Sequence, residues 1–310
     1  MRVEVLDLDG GLVAQHRLLE RYRPDVLDLR DWGPRLRLNC RFSRFCDFEQ
    51  TLDSRRRVSR EASVVFCGSG DFHHLSLALV EQIAEPFNLL VLDNHPDWMR
   101  GWPALHCGTW LNHAARLPLV QRVYHVGGDV DFDNSYRRLA PWELLEAGKI
   151  VVMPALRRYR AGRWLRLPVE PLRERPHQPA CRERLHNLLA PHRADLARFP
   201  LYVSLDKDVL RPTAAVVNWA SGSLELTELL DTLSAFLRAA NVSLAGMDIV
   251  GDWSPVTLHG WLQWMFHRTM HPPLPIDPRE ATRINERTNL LLVECVEELL
   301  HELATREKCA

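Results

Sequence analysis

Residues 89–99, LLVLDNHPDWM, constrain this chain more than any other stretch. Leu89, Leu90, Val91 and Leu92 form an unbroken apolar run, which reads as a strand buried on both faces in the middle of a parallel sheet. Asp93, His95 and Asp97 follow at alternate positions, and alternate side chains of extended chain point the same way. The carboxyl end of this strand therefore offers oxygen, nitrogen and oxygen donors toward one point. Open parallel sheets carry their sites at that end. Pro96 cannot continue a ladder and suits a chain turning away.

The same device recurs twice. Residues 62–67 (ASVVFC) read as a buried strand running into GSGDFHHL, where glycines permit a sharp turn before Asp71, His73 and His74. Residues 201–205 (LYVSL) read as a strand that delivers Asp206 and Asp208, one residue apart. Strands are also expected at 2–8, 122–126, 149–153 and 243–250, the last placing Asp248 and Asp252 near the rim. Helices are expected at 13–22, 75–84, 141–147, 181–189 and 192–199, from an N-cap at Thr227 to residue 240, and from 279 to 303. Residues 23–60 have weak periodicity and remain unplaced. Strand and helix alternate, so the expected fold is α/β, with a mostly parallel sheet between two helical layers. A single domain over residues 1–310 is expected, with an Arg- and Pro-rich surface excursion around 154–180.

Composition excludes several classes. With 39 basic and 40 acidic residues the formal charge is -1, so nothing favours nucleic acid or a membrane surface as partner. No apolar run approaches the ~20 residues of a membrane span. The seven cysteines form no CxxC pair, and MRVEVLDLDG has acids where a signal peptide would be basic, so a cytoplasmic protein is expected. The expected partner is a small-molecule substrate, with a homo-oligomer possible. Cys107 is a candidate thiol, but no nucleophilic triad accompanies it.

His73 or His74, Asp93, His95, Asp97, Asp206 and Asp208 would repel one another around one point unless cations joined them. Six ligands, mostly carboxylate, suit two metals, and oxygen-rich donors with imidazole favour manganese. A hydroxide bridging two such cations would serve as nucleophile.

GSGDFHH resembles the GGDH motif of the arginase and agmatinase (ureohydrolase) family. DNHPD is similar to its DAHxD, and SLDKD to the start of its SxDxDxxDP, in the same order. The resemblance implies an α/β/α fold with an eight-stranded parallel sheet and two Mn2+ per chain. One metal would take His73 or His74, Asp93, Asp97 and Asp206; the other would take Asp93, His95, Asp206 and Asp208. His106, in HCGT, matches the family's HG histidine, a proton shuttle or substrate contact. Asp97 is grouped with His106 as catalytic.

The sequence also departs from the family. Arg211 stands before Pro212 where a third Asp belongs, and Gly251-Asp252 occupies the place of the guanidinium-holding Glu with one extra residue, leaving Asp252 as its substitute. Trp98, Met99 and Arg100 replace a polar substrate loop, making Trp98 and Arg100 substrate-side candidates; the cation at Arg100 would repel a guanidinium. The expected activity is hydrolysis of a C–N bond in a guanidino, amidino or amide compound. The alternatives are a deacetylase of the same fold holding one Zn2+ through Asp, His and Asp, and a metal-binding relative without catalysis.

Overall fold

The computed structural model describes residues 1–56, 62–101, 104–128, 135–156, 169, 171–173, 175, 182–241, 243–258, 264–265, 267–268, 271–273 and 276–309. Eight strands make one sheet, in the order β2-β1-β4-β10-β9-β5-β7-β8. They are β1 (Arg2–Asp7), β2 (Asp25–Asp28), β4 (Ser63–Phe66), β5 (Phe87–Leu92), β7 (Val120–Gly127), β8 (Ile150–Pro154), β9 (Leu201–Asp206) and β10 (Leu244–Val250). Every neighbouring pair is parallel. Two short strands, β3 (Asn39–Arg41) and β6 (Ala104–His106), pair antiparallel apart from it.

Alternation along the central strands sorts the core into two. Leu90 and Leu92 of β5 pack on one face with Leu201, Val203 and Leu205 of β9, and Leu89 and Val91 pack on the other with Tyr202. All of these side chains are buried. Each fully buried Leu or Val contributes roughly 1.5–3 kcal/mol of transfer free energy, which is why the middle strands are apolar on both sides.

The strand order places the site. The chain runs outward from β1 to β2, returns to β4, and then crosses to lay β5, β7 and β8 beyond two places that β9 and β10 fill last. The tips of β4, β9 and β5, which carry the three polar motifs, thus flank the crossing point, where open sheets leave a crevice.

Several local expectations need correction. The unplaced residues 23–60 contain β2, β3 and a helix, Phe42–Arg55, whose Phe45, Phe48 and Leu52 face the core. The helix Leu226–Ala239 is capped at Glu225, not at Thr227: Glu225 and Glu228 form a reciprocal capping box. Most of the excursion around 154–180 lies outside the described residues. Its Leu172 and Arg173 pair with Pro154 and Ala155, and Arg173 is buried on Glu228 (Nε to Oε1 2.7 Å), so this base is no solvated surface group. The last helix extends over Pro278–Cys309. Among the described residues no helix is long and apolar enough to cross a membrane.

Candidate metal centre

The strand tips meet. His73 sits on the tight turn Gly70–Leu75 after β4, and its Nδ1 lies 3.3 Å from Asp93 Oδ2, 2.9 Å from Asp97 Oδ2 and 3.7 Å from Asp206 Oδ2. His95 Nδ1 lies 2.6 Å from Asp208 Oδ2 and 3.9 Å from Asp93 Oδ1. Two sets of side chains are close enough to hold a cation each: His73, Asp93 and Asp206, and Asp93, His95 and Asp208. Asp93 belongs to both.

Backbone amides fix the carboxylates. His95 N donates to Asp93 Oδ1 (2.6 Å), Asp208 N to Asp206 Oδ1 (2.9 Å) and Asn94 N to Asp208 Oδ1 (3.0 Å). Asp93 Oδ2 is buried and accepts no hydrogen bond. A buried carboxylate oxygen without a hydrogen bond, 3.3 Å from the His73 ring nitrogen, is the kind of atom a cation satisfies. The hard oxygen and imidazole donors fit divalent manganese or a similar ion.

Electrostatics show the same need. Burial and neighbouring carboxylates push Asp97 up to about 7 and Asp206 well above the carboxylate range. Burial also raises Asp208, to about 6, despite His95 beside it. Burial alone would lower His95, but Asp208, Asp93 and Asp97 outweigh it and lift its imidazole to about 10. Protons thus occupy positions that cations would take.

Around the cluster, a chain of hydroxyls aligns His73. Ser204 Oγ lies 3.0 Å from His73 Nε2 and donates to Asp248 Oδ1 (2.9 Å), which also accepts from Ser76 Oγ (2.8 Å). Trp110 Nε1 donates to Asp97 Oδ2 (2.7 Å), and Asp97 itself has a positive φ of 44°. A non-glycine residue in that region is held there by its surroundings. The Trp219 ring packs edge-on to His95, centroids 5.5 Å apart. Its Nε1 donates to Asp71 Oδ1 (2.9 Å), a carboxylate that also binds Arg37 Nε (2.6 Å) and His271 Nε2 (2.8 Å).

The structure separates the candidates. His73 faces the cluster and His74 does not: both its ring nitrogens are buried without hydrogen bonds, and burial lowers its pKa to about 3. Consecutive residues of a 3₁₀ turn point about 120° apart, so the pair cannot face one point together. Asp97 touches His73 at the edge but falls in neither cation set. His106 closes the cap of the turn Cys107–Thr109, and its electrostatic neighbours are His113 and His74 rather than the acidic cluster. Cys107 is half-buried, and burial with Asp97, Asp71 and Asp206 drives its thiol well up, which disfavours a nucleophilic thiolate.

The substrate-side candidates also move. Trp98, 1% exposed, is part of the core. Arg100 is exposed and donates to the Arg138 carbonyl (3.3 Å). Asp252 is consumed: Lys207 Nζ lies 2.8 Å from its Oδ1, and Gln15 Nε2 (2.6 Å) and Asn289 Nδ2 (3.2 Å) donate to the same oxygen. Asp248 lies buried beneath the cluster, not at the rim. Sequence reasoning passed over Ser204, although it shares a strand face with Asp206 two residues on. Trp110 and Trp219 carry no comparable signal, because Trp110 reaches the site from the start of a short helix and Trp219 from a separate loop.

No protein-family profile matches the sequence. An uncharacterised protein of Thermotoga maritima is 28% identical over 255 residues, covering 82% of this chain and 81% of its own. Solved structures align along nearly the whole length. The formimidoylglutamase of Bacillus subtilis superposes with a TM-score of 0.55 at 12% identity, covering 95% of this chain and 85% of that one. A hypothetical agmatinase of Burkholderia thailandensis gives 0.52 at 16%, covering 100% and 88%, and the arginase of Bacillus subtilis 0.50 at 14%, covering 96% and 98%. This chain has the fold of the arginases, agmatinases and formimidoylglutamases.

Proposed function

We propose that this protein is a hydrolase that uses two divalent cations, Mn2+ in the first instance, to cleave a C–N bond in a guanidino, amidino or amide small molecule. The observation that carries the reading is Asp93, shared by two ligand sets and left with an unsatisfied buried oxygen. The likeness in fold to structures of an arginase and a formimidoylglutamase supports it.

His73, Asp93 and Asp206 would hold one cation, and Asp93, His95 and Asp208 the other. Bound there, the cations would polarise a substrate and make water acidic near neutral pH. The chain's own part is to hold donors still. Because the Ser204 hydroxyl donates to Asp248, its oxygen is free to accept from His73 Nε2–H, which leaves Nδ1 to face the carboxylates. Trp110 donates to Asp97 and fixes it at the edge of the cluster, beside His73.

The rival reading of a metal-binding relative without turnover is favoured by Asp252, whose carboxylate is taken up by Lys207, Gln15 and Asn289. A screen for released urea or ammonia, with Mn2+ present and guanidino, amidino and amide compounds supplied, decides between them. Turnover that needs the metal supports the hydrolase. Tight metal binding with no turnover across the panel supports the rival, and a single bound Zn2+ with deacylation supports a deacetylase.

A further inference from the structure

Strand β7 contributes no ligand, yet its tip is the surface on which the β5 ligand turn rests. Asp93 N donates to the Val126 carbonyl (3.1 Å). Gly127 and Gly128 have φ of 114° and 21°, and a Cβ on them would lie 2.8 Å from the Asp93 carbonyl oxygen and 2.2 Å from that of Asn94. Only glycine lets the turn lie this close. Beside them, in a strand otherwise lined by Val123, Tyr124 and Val126, stands His125, wholly buried. Its Nε2 is 2.7 Å from the His95 carbonyl oxygen. A carbonyl only accepts, so Nε2 carries the hydrogen. Nδ1 is buried and makes no hydrogen bond.

This arrangement has a cost that packing does not explain. A leucine would fill the space without leaving a ring nitrogen unsatisfied, and burying such a group without a partner is unfavourable. What the imidazole gains is a fixed donor on the peptide that carries the His95 side chain. His95 is the half-exposed ligand of its set, whereas Asp93 and Asp208 are buried, so it has the least packing to hold it.

We infer that His125 is a positioning residue for the His95 cation, pinning the His95 backbone so that its imidazole meets Asp93 and Asp208. The inference rests on the metal-centre reading above. Partners of this kind, one step behind the ligands, change metal affinity by about 10–100-fold when removed.

The test is titration of metal-free full-length protein with Mn2+ by calorimetry, comparing wild type, His125→Leu and His125→Gln, alongside thermal unfolding without metal. Leucine removes the donor, and glutamine carries an N–H at similar reach. The expected result is two cations for wild type, one of them at least tenfold weaker in His125→Leu with the other unchanged, and recovery in His125→Gln. A purely structural role would lower the unfolding temperature without separating the two affinities. Wild-type binding at both sites in His125→Leu, or equal weakening of both sites in the two variants, overturns the inference. Wild type that binds no cation refutes the metal centre itself, visibly before any variant is considered.

Discussion

The tips of β5 and β10 stand two strands apart in the same sheet, and an aspartate follows each strand. They end differently. Asp93 stays in line with its strand and meets His73 and His95. Asp252 follows Gly251, whose φ of 90° turns the chain, and a Cβ there would stand 2.5 Å from Asp206 Oδ1. The carboxylate is thereby delivered to Lys207, which is completely buried between two proposed ligands in sequence. A charged lysine in the interior needs a partner. An acid after a core strand is therefore a site residue only when no nearer cation claims it.

The sharpest way to break this comparison is to neutralise each aspartate. Asp93→Asn should abolish measurable Mn2+ binding at both sets, because the residue is common to them, and with it any hydrolysis. Calorimetry on the purified variant checks this, and retention of either cation would contradict the shared role. Asp252→Asn should leave both cations in place and instead destabilise the fold by about 3–5 kcal/mol, the usual cost of stranding one member of a buried ion pair. Denaturant unfolding measures it, and Lys207→Met with Asp252→Asn should restore most of the loss. If Asp252→Asn instead weakened substrate binding at unchanged stability, the two tips would be more alike than described.

Ser204→Ala tests the alignment of His73 and should weaken one cation by roughly 10–100-fold without affecting the other. Proton competition is the mildest effect. His95 and Asp208, lifted to about 10 and 6, hold protons that a cation must displace. Affinity should therefore rise as pH rises and fall as pH drops toward 6, by up to ~tenfold per pH unit for each proton released. Calorimetry in buffers of different ionisation enthalpy counts those protons, and a flat affinity between pH 6 and 8 would contradict it.

Part of the ligand geometry was legible because it is local. The apolar strands β5 and β9 bring Asp93 and Asp206 to neighbouring tips, but β5 ends at Leu92 and Lys207–Val209 is a tight turn, so the directions of His95, Asp97 and Asp208 are set by turns and not by the expected strand alternation. The fold was legible for a related reason: β4, β5, β9 and β10 are apolar enough to announce central strands. What escaped depends on partners far away in sequence. The choice of His73 over His74 needs the exact turn after β4, and the fate of Asp252 needs Lys207, Gln15 and Asn289 from three separate segments. Trp98 sat among candidate substrate residues because it follows the ligands, yet it belongs to the core beneath them. Residues 23–60 hid their helix because arginines and aspartates interrupt the apolar stripe of Phe45, Phe48 and Leu52.

The most direct test is the metal content of the full-length protein, purified without chelator and equilibrated with Mn2+. Two ions per chain in wild type, falling to none in Asp93→Asn, is the result expected from a carboxylate shared between two sites. One ion per chain, or two that persist in the variant, would contradict the paired centre.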